Sequence, residues 1–123
     1  MNFQDSVKSG FRNWVNFKDR ASRSEFWFLV LFSILLGFIS GLVDGLLNAM
    51  IGIQFVNLIA VLALTIPSLS VTIRRLHDLD KSGWWVLLCL IPLVGIIILT
   101  VWYATKGTFG PNRFGPDPLA LEE

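Results

Sequence analysis

The sequence predicts an all-α membrane protein, with one interfacial amphipathic helix followed by three transmembrane helices in a single membrane domain over 1–123. Three observations carry this prediction. Uncharged apolar stretches run over 26–43, 45–73 and 82–105, and roughly 20 apolar residues in a helix cross a bilayer core of about 30 Å. Charged residues make up only 15% of the chain and hydrophobic residues 54%, against roughly 25% charged in an average soluble domain. Aromatic residues flank the last stretch on both sides, Trp84 and Trp85 before it and Trp102 and Tyr103 at its end, as interfacial belts do.

Residues 2–18 are expected to form the interfacial helix. Phe3, Val7, Phe11, Trp14 and Val15 recur at helical spacing, while Asp5, Lys8, Arg12 and Lys18 fall on other faces. An aromatic edge with basic flanks suits a helix lying along the membrane surface. The first span is expected over 26–47. Ser22 or Ser24 caps it, and Glu25 sits favourably near its positive N-terminal end. No cleavable leader is evident, because charged residues continue up to Glu25. Within the span Ser33, Gly37, Gly41 and Gly45 lie four apart, a small-residue stripe that allows close helix packing, within the chain or with a second copy.

The second span is expected over 53–73. Pro67 interrupts it between Ile66 and Ser68 and is read as a kink. The third is expected over 84–104 and contains Pro92 and Gly95. A Gly/Pro-rich tail follows over 105–123 and repeats Phe-Gly-Pro, at 109–111 and 114–116. Basic residues set the orientation. Lys8, Arg12, Lys18, Arg20 and Arg23 precede the first span, the first loop has none, and Arg74, Arg75 and Lys81 fill the second. The N-terminus and second loop are therefore expected in the cytoplasm. Three complete spans put the tail outside, whereas a helix broken at Pro92 returns it to the cytoplasm.

Polar chemistry concentrates between the second and third spans, where Arg74, Arg75, His77, Asp78, Asp80 and Lys81 crowd together. Charges beside a bilayer reach the interface, pair with one another, or serve a site. Arginines at a span end ordinarily anchor orientation and snorkel to headgroups. The two arginines can also fork onto a phosphate, or Asp78 and Asp80 can pair them. Arg20 and Arg23 share that membrane face, so one composite cluster of Arg20, Arg23, Arg74, Arg75, His77 and Asp78 is the candidate site for an anion, a lipid headgroup or a partner.

A His-Asp neighbour pair can do acid–base work. Yet no activated nucleophile motif, Gly-rich phosphate loop or zinc spacing accompanies it, so no catalytic residue, metal or cofactor is assigned. Net charge is +1, which gives no field for nucleic acid. The lone Cys89 lies in the third apolar stretch and reads as packing.

Arg20-Ala21-Ser22-Arg23-Ser24-Glu25-Phe26-Trp27, Arg74-Arg75-Leu76-His77-Asp78, Ser82-Gly83-Trp84-Trp85, Gly107-Thr108 and Asn112-Arg113-Phe114-Gly115-Pro116-Asp117-Pro118 follow in one order. Together they resemble the bacterial inner-membrane family called domain of unknown function 805, over nearly the whole chain. Members of that family typically carry Gly-Arg where this chain has Asp19-Arg20. The resemblance implies a small multi-pass protein of the bacterial cytoplasmic (inner) membrane and implies no enzyme activity. It also implies that the three polar segments act as a set.

The function expected from all this is non-enzymatic. A binding or scaffold component would present its basic cluster to anionic membrane lipid or to a membrane-protein partner, with homo-oligomerisation through the glycine stripe as an option. The alternatives are an oligomeric small transporter or channel, since three spans cannot enclose a polar pathway alone, and a lipid-headgroup-modifying enzyme using His77.

Overall fold

The computed structural model describes residues 2–119 and is helical, with no strand longer than an isolated bridge among the described residues. Helix α1, Phe3–Arg12, is capped by Asn2, whose side chain accepts from the Asp5 amide at 2.8 Å. It is shorter than the 2–18 expected from periodicity. Asn13 turns its side chain back onto the Ser9 carbonyl, and Asn16 accepts from the amides of Lys18 and Asp19. Short amide side chains compete with the helix in this way, so the chain bends through 13–19 despite its apolar pattern. Helix α1 lies on the next helix through Gly10, where a Cβ would come within 3.0 Å of Leu29. Edge-on aromatic pairs Phe3–Phe28 and Phe11–Phe32 extend that contact.

Helix α2, Arg23–Ile51, starts at Ser22, which accepts from the Glu25 amide, and stops at Gly52 in the left-handed region. Helix α3, Val56–Asp78, returns antiparallel and contains Pro67. The turn between them is tied by Asp44, whose carboxylate accepts from the amides of Phe55, Val56 and Asn57 at 2.7–3.1 Å. These are among the amides that a helix start leaves without internal partners. Ser40 also donates to Asn57 at 2.8 Å.

The apolar segment 84–104 is not one continuous helix. It divides into a 3₁₀ helix, Gly83–Leu90, and helix α4, Val94–Ala104, joined by a turn in which Leu93 has φ +64°. Pro92 has no amide to donate, and Gly95 lies so close to the Leu88 carbonyl that a side chain there would overlap it. Each arm is about 16 Å long, from 2.0 Å per residue in the first and 1.5 Å in the second. Both ends of the hairpin lie at the same end of the bundle. At its start, Gly83 sits against Ile73 and beside His77. At its finish, Trp27 and Arg23 of α2 donate to the carbonyls of Tyr103 and Ala104. The tail therefore emerges beside α1, at the same end of the bundle, and the single helix expected over 84–104 is replaced by two short ones.

Burial is inverted relative to a water-soluble fold. Arg74 and Arg75 are the largest fully buried side chains, whereas Phe38, Leu46 and Leu62 are each more than 60% exposed. Helices α2 and α3 are both long and apolar enough to cross a membrane, and only 17% and 28% of their apolar windows are buried. The core helix of a soluble protein would be mostly buried, so this apolar exterior calls for lipid. Within the small-residue stripe, a Cβ added at Gly37, Gly41 or Gly45 would meet nothing within 4 Å. Close packing inside the chain does not use these glycines.

Candidate functional site

Arg75 and Asp78 are three residues apart on the last turns of α3 and so share a face. Asp78 is joined at one oxygen to Arg75 Nη1 and at the other to Arg20 Nε and Nη2, at 3.0 and 2.9 Å. One carboxylate thus bridges two guanidinium groups from distant parts of the chain. The remaining donors go to backbone. Arg20 donates to the carbonyls of Thr108, Gly110 and Gly115 at 2.6–3.2 Å. Arg75 donates to those of Ala21, Tyr103 and Thr105. Gly110 and Gly115 have φ of +75° and +132°, conformations that aim their carbonyls at Arg20 and that side chains disfavour. Gly107 lies against the Asp78 carboxylate with no room for a Cβ, and Thr108 donates its amide to the Asp78 carbonyl at 2.7 Å.

A second pair lies alongside. Arg74 Nη1 meets Glu25 Oε1 at 2.8 Å, and the same oxygen accepts from Ser9 Oγ at 2.9 Å. Arg74 Nε donates to Ser70 Oγ, while its Nη2 is buried with no partner among the described residues. An unsatisfied buried donor costs about 1–3 kcal/mol. Arg74 also lines a cavity of about 350 Å³ between the α1 end, the 16–20 segment and the tail, together with Ser9, Asn13, Asp19, Glu25 and Phe114.

The sequence-predicted site residues are therefore brought together, but inward. Arg20, Arg74, Arg75, His77 and Asp78 are all buried, and Arg23 alone stays exposed at the rim. His77 shares its Nδ1 with the Asp19 carbonyl at 3.0 Å and stacks flat on Phe114 at 3.9 Å. A carbonyl only accepts, so Nδ1 carries the proton. Asn112 donates to the His77 carbonyl, and Arg113 pairs with Asp80 at the surface. Asp117 accepts from the amides of Gly110 and Leu119, which hold its carboxyl below the usual range. Among the described residues, no three His, Cys, Asp or Glu side chains gather as a metal site requires.

Sequence reasoning missed Glu25 as the partner of Arg74. Its place three residues after Ser22 matches a helix-capping pattern, which accounted for it locally. It also missed the tail carbonyls, because backbone acceptors leave no residue-type signal beyond the glycines that orient them.

The family model described as "Protein of unknown function (DUF805)" matches residues 14–116, a stretch that includes every arginine and carboxylate of the two ion-pair sets. The chain is 42% identical over 113 residues to Inner membrane protein YhaH of Escherichia coli K12, covering 87% of this chain and 90% of that protein. It is 38% identical over 107 residues to Inner membrane protein YhaI of the same organism, covering 87% and 89%. No solved structure matches.

Proposed function

We propose that this chain, which belongs to the DUF805 family of inner membrane proteins, is a non-enzymatic binding component that holds a rigid polar plate at the cytoplasmic face. The observation that carries this reading is the convergence of three remote segments on Asp78. Residues 20–25, the end of α3 and the tail are joined there by buried charges and backbone carbonyls. Such a cluster organises a surface. The imidazole of His77, covered by Phe114 and bonded to backbone, is poorly placed for proton transfer.

In this arrangement α2 and α3 cross the bilayer, and the 83–104 hairpin enters and leaves from the cytoplasmic face instead of crossing as a third span. Its short arms and the anchoring of both its ends against the end of α3 support that, Gly83 beside Ile73 and His77 and Tyr103 on Arg75. The N-terminus is cytoplasmic by the basic residues that precede α2. The plate's outer rim is basic, because Lys8, Arg12, Lys18 and Arg23 are exposed, and anionic lipid is the ligand it suits. Near an anionic surface each such cation contributes about 1 kcal/mol.

Replacing these four by glutamine tests the reading without touching the buried pairs. Retention of phosphatidylglycerol after gentle extraction is expected to fall while the protein stays folded. Undiminished retention removes the lipid role and leaves a protein partner to be sought.

A further inference from the structure

The cavity beside Arg74 has the chemistry of a small binding site, and it is separate from the exposed rim. It has about 350 Å³, at the small end of the range for ligand pockets. Arg74 is among its lining residues, and the Nη2 of that side chain is buried with no partner among the described residues. Glu25 also lines it, and both hydrogen bonds described for that carboxylate fall on Oε1, leaving Oε2 free of them. Asp19, exposed at the mouth, uses Oδ2 for Asn16. The cavity therefore offers an arginine donor and two carboxylate acceptors to one occupant.

We infer that this pocket binds a zwitterion that joins an oxyanion to a primary ammonium, as a phosphoethanolamine headgroup does. A simple anion would meet Glu25 and Asp19, and a simple cation would meet Arg74 and Arg20, so either alone is opposed by like charge. A zwitterion meets both signs. Its phosphate oxygen supplies the missing acceptor at Arg74, and its ammonium N–H groups reach the carboxylates. A quaternary ammonium has no N–H to give, so a choline headgroup binds less well. The lipid is the favoured source, because Trp14, Val15 and Phe17 beside the cavity's Asn13 and Asn16 are exposed at 50%, 57% and 38% and provide apolar surface for acyl chains.

Native mass spectrometry of the full chain tests this, with equal amounts of phosphatidylethanolamine, phosphatidylcholine and phosphatidylglycerol, and separately with free phosphoethanolamine. The wild type is expected to retain phosphatidylethanolamine over phosphatidylcholine. Asp19→Asn, at an exposed position, is expected to weaken that retention about tenfold, as loss of one charge-assisted hydrogen bond does. Ser9→Leu, which fills the cavity, is expected to abolish it. If that variant does not fold, Asp19→Asn carries the test alone.

Displacement of the lipid by free phosphoethanolamine supports headgroup recognition. Binding of the free zwitterion without the lipid retains the chemistry and overturns the lipid source. Equal retention of all three lipids, no adduct at all, or phosphatidylethanolamine retention unchanged in both variants overturns the inference. Because the rim variants act on phosphatidylglycerol and the pocket variants on phosphatidylethanolamine, the two readings fail independently.

Discussion

Asp78 holds two guanidinium groups with one carboxylate, and both arginines are almost wholly removed from solvent. The balance there is unforgiving, because a buried charge stripped of its partner is strongly destabilising, by about 3–5 kcal/mol. Asp78→Asn keeps the side chain's size and removes the charge that Arg20 and Arg75 share. We expect a loss of that order, read as a lowered thermal midpoint in detergent, with the tail becoming the first site of proteolysis. An unchanged midpoint would mean that the two arginines are held by carbonyls alone. For the same reason, alanine at Arg74 or Arg75 measures folding before it measures ligand retention, so exposed positions such as Arg23 are the informative ones for binding.

At the scale of elements, the two long helices were legible because uncharged runs and interfacial aromatics follow directly from the bilayer's thickness. The hairpin was less so. Residues 84–104 have the length and apolarity of a span, and only Pro92 and Gly95 hint that the run folds back. Which outcome wins depends on contacts with Arg75 and Trp27 that no local pattern encodes. Likewise, Asp44 reads in the sequence as the polar end of a span, yet it caps the following helix through three amides. Asp44→Ala is expected to leave α2 intact and to speed hydrogen exchange at the first amides of α3, with Asp44→Asn retaining part of the protection. Equal exchange in all three proteins would show that the turn is fixed by other contacts.

Across the whole molecule, polarity is arranged against the usual order: charges fill the interior of one end and aliphatic side chains cover the outside. Arg20, Arg74, Arg75 and Asp78 could be picked from the sequence as a set because two arginine-bearing segments were expected to share one membrane face. Their direction could not. Whether an arginine at a span's end snorkels to lipid or turns inward depends on finding acceptors, and here those are Glu25 and the carbonyls of a glycine-rich tail that lies about 30 or more residues further on. The tail can supply them only if it shares that face with α1.

Impermeant maleimide labelling of single cysteines in sealed, oriented membrane vesicles tests this placement most directly. Cys89 is first replaced by serine, and cysteine is then placed at Lys8 or at Phe109, which is 89% exposed. Both positions are expected to label from the same, cytoplasmic side; labelling from opposite sides would mean that 84–104 crosses the bilayer as a complete third span, and would contradict a tail placed beside α1.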